Sequence, residues 1–305
     1  MAVFTKIGLD EINLIEKNFS IGKILNYSGI KKGIENTNYL IKSKKRKFIL
    51  TIFEKRVNSR DLPFFMKLMS GLAQSKIKCP KPVENKKGKY LFKLKGKNAC
   101  LVTFLEGKDK NNLNSKECFV IGKNIARLHN SSKKLRIFRK NSLSVNSWGP
   151  LLKKISRKIN KKFKDLTENM KIDYIQIKKL WPKKLPTGII HCDLFLDNIF
   201  FYRGRFHGFI DFYFSSNDYY AYDLAICVNA LCFNKKNNKF IMNKNKSSNL
   251  LKGYQSVRKL TKLEKNSFNT LCKGSALRYL LTRSYDYLNL SPIHISEPTR
   301  RTIIS

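Results

Sequence analysis

The stretch from Gly188 to Asp223, GIIHCDLFLDNIFFYRGRFHGFIDFYFSSNDYYAYD, constrains the fold of this chain more than any other. Two short apolar runs, 188–190 and 199–202, flank a polar loop that carries His191, Asp193 and Asn198. A third run, 206–210, leads directly to Asp211, and Arg203-Gly204 separates the last two runs. Short apolar runs punctuated by turn residues predict a loop followed by a β-hairpin, not a helix. One loop therefore presents an aspartate and, further on, an asparagine, while a neighbouring strand end presents a second aspartate. Any one aspartate in a turn is more often a turn former. The joint spacing, with apolar strands on either side, selects a chemical reading.

Phosphoryl transfer needs this set, because its chemistry is mostly positioning and charge neutralisation. One carboxylate must accept or orient the proton of the attacking hydroxyl. A second carboxylate and an amide oxygen must hold a divalent cation against nucleotide phosphates. The pattern His-x-Asp-x-x-x-x-Asn followed by Ile-Asp-Phe supplies all three groups. It resembles the catalytic core of protein-kinase-like small-molecule phosphotransferases, the aminoglycoside phosphotransferase and choline kinase group. That resemblance implies an α+β, two-lobed protein-kinase-like fold, with an N-terminal antiparallel sheet lobe and a mainly helical C-terminal lobe. It implies ATP and Mg²⁺ as cofactors. By position, Asp193 becomes the catalytic base, Asn198 and Asp211 the metal ligands, and His191 a brace for the loop.

Composition sets outer bounds. At 305 residues, 42% hydrophobic and 12% aromatic, the chain can bury one large core or two smaller ones. Its formal net charge of +41 raises nucleic acid or an anionic membrane as partners. The lysines are instead spread along the whole length among many Asn, Ile, Phe and Tyr, as a coding bias would leave them, and no nucleic-acid-binding motif accompanies them. The charge is therefore expected to draw small anions such as ATP, not RNA or DNA. The seven cysteines form no CxxC pair and have no metal-ligand spacing with histidine, so they read as core residues of a reducing, cytoplasmic compartment. No apolar run approaches the length of a membrane span.

Taken in order, residues 8–18 predict an amphipathic helix with Ile12, Ile15 and Phe19 on one face. Strands are expected at 24–27, 37–41 and 47–53. The turn carrying Gly29, Gly33, Asn36 and Asn38 can lay backbone N–H groups over phosphates, although hairpins usually contain glycine anyway. The third strand, KFILTIFEKR, is where the family carries its ATP-gripping lysine. Thr51 stands at that position; Lys55 or Arg56 can take over, with Glu54 the nearest carboxylate partner, or all three form an exposed strand end.

A helix follows over 62–75, with Asp61 expected as its cap and Pro63 near its start. Strands at 90–94 and 99–104 lead to Phe104-Leu105-Glu106-Gly107. In kinase-like folds this is the hinge whose backbone meets adenine, so the N-terminal nucleotide-binding lobe is expected over 1–104 and the catalytic and substrate lobe over 105–290. The second lobe is expected to hold helices at 115–130, ending in a structural His129, and at 151–163, 172–180, 224–233, 250–257 and 263–290. Residues 234–249 read as a Lys/Asn-rich loop. Asp223 is either the acidic N-cap of its helix or, as in the wider family, a support for the catalytic loop.

Several further segments resemble one branch of the group, the bacterial homoserine kinases of kinase-like fold. These are MAVFT, GIENTNYLI, FILTIFEKRV with DLPFFMKLM, VTFLEG, HCDLFLDNIFF, IDFYFSSNDYYAYDLAICVNALCF and ALRYLLTRSYDYL. The resemblance implies ATP-dependent phosphorylation of the L-homoserine hydroxyl; another small alcohol, such as choline, methylthioribose or an aminoglycoside, is the alternative acceptor. A small zwitterion wants an arginine for its carboxylate and an acid or aromatic face for its ammonium. Arg278 or Arg283, with Asp218, Tyr213 and Tyr219, fit that demand. Residues 291–305, SPIHISEPTRRTIIS, break the composition and read as an atypical tail, disordered or artefactual.

Overall fold

The computed structural model describes residues 3–31, 36–54, 57–161, 163, 165–237 and 239–289. The chain divides into two compact units, Met1–Glu106 with Gly208–Tyr213, and Gly107–His207 with Phe214–Ser305.

The first unit opens with α1 (Leu9–Asn18), whose Ile12 and Ile15 are buried and whose first turn holds Asp10 and Glu11, where carboxylates suit the helix dipole. Strands β1 (Ile24–Gly29), β2 (Thr37–Ser43) and β3 (Lys47–Ile52) follow. After them come α2 (Leu62–Gln74), β4 (Leu91–Leu94) and β5 (Lys97–Thr103). The five strands form one sheet in the order β1-β2-β3-β5-β4, antiparallel at each junction. The period of two decides its faces. Phe48, Leu50 and Ile52 of β3 share a buried cluster with Ile12, Ile15 and Phe19 of the α1 segment. Each such side chain, fully buried, contributes roughly 1.5–3 kcal/mol.

The cap of α2 differs from expectation. Asp61 has α-helical backbone and its side chain makes no capping hydrogen bond. A single 3-10 turn, Ser59–Asp61, precedes the helix and is capped by Asn58, whose side chain accepts from the Arg60 amide at 3.0 Å. Pro63 tolerates the first helical turn because that turn's amides have no intrahelical acceptor.

The second unit is mainly helical. It starts with α3 (Ser115–Ser132), capped by an Asn114–Glu117 capping box. Helix α4 (Val145–Asn160) begins earlier than the sequence suggests, with Pro150 in its second turn, and α5 (Leu166–Leu180) also begins early. Strand β6 (Thr187–Ile190) precedes the polar loop; β7 (Ile199–Tyr202) and β8 (Arg205–Phe209) make the hairpin, turning at Arg203 and Gly204, both at positive φ. Strand β9 (Ser216–Tyr219) pairs antiparallel with β6, and α6 (Tyr220–Leu231) follows. The Lys/Asn-rich segment expected as a loop instead folds into a hairpin, β10 (Phe233–Lys236) and β11 (Lys239–Met242), and the first turn of α7 (Lys244–Gln255). There, Lys246 is buried and donates to Asn112 and Asn234 side-chain oxygens, which lets a polar sequence pack. Helix α8 (Lys262–Asn289) closes the described chain.

Two glycines set how α3 meets α7. A Cβ at Gly122 would lie 2.0 Å from the Leu250 carbonyl oxygen, and one at Gly253 would lie 2.0 Å from that of Phe119. Only hydrogen fits, so the two backbones approach closely and bring His129 of α3 beside Tyr254 of α7. Trp148 and Trp181 pack edge to face at 5.2 Å within the cluster formed by α4, α5, α6 and α8. Among the described residues no helix is long and apolar enough to cross a membrane. Six of the seven cysteines are buried and the seventh is half-buried; all are free.

Candidate active site

The loop between β6 and β7 is held from beneath by one carboxylate. Helix α6 is preceded by Tyr219 as its N-cap, so Asp223 is not the cap but sits in the first turn. Its side chain is buried and accepts three hydrogen bonds: from the His191 amide at 3.0 Å, the Cys192 amide at 2.8 Å and His129 Nε2 at 3.0 Å. An ionised carboxylate cannot donate, so His129 carries its proton on Nε2 and its Nδ1 accepts from the Tyr254 hydroxyl, 2.9 Å away. Tyr254 in turn accepts from Arg258, which also pairs with buried Glu264 at 2.9 Å. Burial alone pushes the Asp223 carboxyl up, but the hydrogen bonds from His129 and the loop amides outweigh it and hold it below the ordinary range. Burial lowers the pKa of His129, so the ring stays neutral. His129 is thus structural, as expected.

These contacts hold a strained backbone. Cys192 has φ 68°, in the left-handed region that a non-glycine residue occupies at a cost of about 1–3 kcal/mol. With both amides of the His191-Cys192 pair anchored on Asp223, the chain turns sharply and sends Asp193 away from the core. Asn198, after a 3-10 turn at Leu196–Asn198, closes the loop: its Nδ2 donates to the Asp193 carbonyl at 2.7 Å and to Asp193 Oδ2 at 3.2 Å. Its amide oxygen is left with the lone pairs.

A second set of contacts comes from α8. Tyr279 places its hydroxyl 3.2 Å from Asp193 Oδ1 and 3.0 Å from the Cys192 carbonyl oxygen. Arg278, 3% exposed, donates from Nη1 to the same carbonyl at 2.8 Å and to the Tyr279 hydroxyl at 3.1 Å. Sequence reasoning offered Arg278 to a substrate carboxylate and did not find Tyr279. The one local signal was an arginine inside an otherwise apolar helical run, where a buried charge must find partners.

The other expected residues fall as follows. Asp211 is exposed and has φ 62°, the second positive-φ residue of the motif. Asp218 is half-buried, accepts from Asn141 Nδ2 at 2.7 Å and from the Tyr219 amide at 2.7 Å, and burial raises its pKa. Arg283 lies beside buried Asp286, Nη1 to Oδ2 3.7 Å. Tyr213 belongs to the first unit, edge-on to Phe53 and Phe65 with its hydroxyl 3.7 Å from the Cys100 sulfur.

In the first unit, Gly29 closes β1 with Val3 against it; a Cβ there would lie 2.7 Å from the valine side chain. Asn36 is buried, its Oδ1 3.4 Å from the Glu54 amide. Gly33, Lys55 and Arg56 lie outside the described residues, as do residues 291–305. Thr51, at the family's lysine position, donates to Asn38 Oδ1 at 2.8 Å. Glu54 is not an exposed strand end: it accepts from Thr5 and Thr37, both at 2.7 Å, and pairs with Lys97. Glu106 pairs with Lys47 at 3.1 Å on the surface.

Comparison with known proteins places this geometry. The sequence model of the phosphotransferase enzyme family matches residues 26–258. The homoserine kinase of Agrobacterium fabrum is 43% identical over 288 residues, covering 94% of this chain and 88% of that protein. The homoserine kinase of Sinorhizobium medicae is 41% identical over 292 residues, 96% and 89% of the two chains. Among solved structures, a spectinomycin phosphotransferase in complex with ADP and spectinomycin superposes with TM-score 0.71 at 15% identity, covering 98% of this chain and 94% of that one. A choline kinase from Cryptosporidium parvum gives 0.66 at 15% identity, over 95% and 92%. At these identities the structural likeness establishes the kinase-like fold.

Proposed function

From the premise that this chain belongs to the phosphotransferase enzyme family, and within it to the homoserine kinases, we propose that it transfers the γ-phosphoryl group of ATP to the side-chain hydroxyl of L-homoserine. Asp193 is the base. As the acceptor oxygen attacks the γ-phosphorus, its proton passes to the Asp193 carboxylate; the bond from phosphorus to the β,γ-bridging oxygen breaks, and ADP leaves with the electron pair. The observation that carries this reading is the state of Asp193: its two carboxylate oxygens are oriented by Tyr279 and Asn198, on a loop whose backbone is anchored to buried Asp223. A base held this way loses little orientational freedom on reaching the transition state.

The donor set suits a hard cation. Asn198 spends its Nδ2 on Asp193 and keeps an amide oxygen, and Asp211 offers a carboxylate. Both are oxygen ligands of the kind Mg²⁺ takes, and we assign them that role. Bound there, the ion would neutralise phosphate charge. We assign adenine recognition to the backbone of residues 104–107, including Glu106, and phosphate contacts to Gly29 and Asn36. Asp218 is assigned the acceptor's α-ammonium: each of its oxygens takes one protein hydrogen bond and retains further lone-pair capacity.

The test is ADP release coupled to a panel of L-homoserine, L-serine, choline and kanamycin, with the wild type and Asp193→Asn. Turnover with L-homoserine alone, lost by about 10²–10⁴-fold in the variant while ATP affinity stays within a few-fold, is expected. Turnover that survives in the variant would remove Asp193 as the base. Turnover with another acceptor only would change the substrate.

A further inference from the structure

We propose that the Arg278–Tyr279 pair of α8 is a positioning device for the catalytic base, making the closing helix part of the active site. The inference rests on Asp193 being the base. Its ground is the hydrogen-bond pattern around the Cys192 peptide. Asp223 takes the Cys192 and His191 N–H groups on one side. On the other, Arg278 and Tyr279 both address the Cys192 carbonyl. A left-handed residue is therefore gripped through both of its polar backbone groups, and the next residue is Asp193. Tyr279 reaches past that carbonyl to Asp193 Oδ1.

Donor arithmetic assigns each proton. Arg278 Nη1 has two hydrogens, one for the Cys192 carbonyl and one for the Tyr279 oxygen. Tyr279 has one, to divide between the carbonyl and Asp193 Oδ1. Because Arg278 already satisfies the carbonyl, the tyrosine proton is available to the carboxylate. The buried guanidinium also lies over the Tyr279 ring, 4.5 Å from its centroid, which fixes the phenol and polarises its O–H. Phe195, on the loop itself, packs edge-on against the same ring at 4.7 Å. The ring is thus located by packing and its hydroxyl by Arg278, so Tyr279→Phe removes one hydrogen bond without removing the wedge.

A donor on each carboxylate oxygen fixes the orientation of the base, and losing the Tyr279 donor frees the carboxylate to rotate out of line with the acceptor hydroxyl. The experiment is kcat, and KM for L-homoserine and for ATP, in the wild type, Tyr279→Phe, Arg278→Lys and Asp193→Asn, with thermal unfolding recorded for each. Expected is a 10- to 100-fold fall in kcat for Tyr279→Phe with KM for ATP and for L-homoserine within twofold. Arg278→Lys, which keeps one donor for the carbonyl, should be intermediate. A folded Tyr279→Phe with unchanged kcat overturns the proposal while an inactive Asp193→Asn leaves the base in place. Active Asp193→Asn removes both. Should Tyr279→Phe fail to fold, Arg278→Lys decides: a fall in kcat at unchanged KM in the folded variant supports the proposal, and wild-type kcat overturns it.

Discussion

The loop between β6 and β7 and the strands of the first unit treat polar residues differently. Around Asp193, polar side chains from four helices and the loop converge on a few backbone atoms: His129 from α3, Asp223 from α6, Tyr254 from α7, Arg278 and Tyr279 from α8, with Asn198 from the loop. In the first unit the polar cluster at Glu54 joins the N-terminal segment to strand ends: Thr5, Thr37 and Lys97 meet there. The first cluster fixes one strained peptide and one carboxylate. The second fixes how a segment lies on a sheet. The second is the less buried, with the Lys97 side chain 41% exposed, yet Thr37 is fully buried there too, so burial of polar groups does not by itself mark chemistry; the target of the hydrogen bonds does.

Substitutions can break this contrast. The largest effect is expected for Asp223→Asn, which leaves a buried histidine and two loop amides competing for one acceptor oxygen. Loss of a buried charged acceptor costs about 3–5 kcal/mol, so urea unfolding should show that loss, and kcat should fall at least 100-fold in the fraction that folds. Equal loss of stability with unchanged kcat would mean that the loop does not need its anchor. Next is Gly253→Ala. Its methyl group would overlap the Phe119 carbonyl, forcing α3 and α7 apart at about 1–3 kcal/mol. Calorimetry should show a lower melting temperature, and the His129–Tyr254 hydrogen bond makes a kcat loss accompany it.

The pH dependence comes third. His129 has its pKa lowered from 6.5 in the folded protein, so below that pH the unfolded chain binds a proton that the folded one refuses. Stability is full above the unfolded pKa and falls as pH drops through this window, by up to about 1.4 kcal/mol per pH unit for one group. Asp223, lowered from 3.8, adds a loss of the same sign at more acidic pH. Urea midpoints from pH 7.5 to 5.0 for the wild type, less those of His129→Asn, should isolate the slope; parallel curves would show that the ring is not held neutral. The smallest effect is expected for Glu54→Gln, about 1 kcal/mol from a weakened charge-assisted network, with kcat within about twofold. A large kcat loss there would erase the contrast between the two clusters.

Much of the fold was legible because its signals are local. The period of two in 47–52, the helical spacing of Ile121, Ile125 and Leu128, and the turn at Arg203-Gly204 lie within a few residues. Where competing signals met, the reading slipped. The Lys/Asn-rich segment hid a hairpin because Lys246 packs on two asparagines that the pattern did not pair. Asp61 looked like a cap, but a preceding 3-10 turn had already taken that role for Asn58.

The sequence by itself determined the groups available: the spacing from His191 through Asp193 to Asn198, and Asp211 after its strand, put these side chains in one short stretch. Tertiary structure alone decided what holds them. Asp223 lies 31 residues beyond the Cys192 amide it anchors, His129 is 94 residues from Asp223, and Tyr279 is 86 from Asp193. Helical phase and packing bring these groups within hydrogen-bond distance, and no periodicity in the chain encodes which distant donor will face which acceptor. That is why the sequence leaves Asp223 between helix cap and loop support, offers Arg278 to substrate, and gives Tyr279 no role.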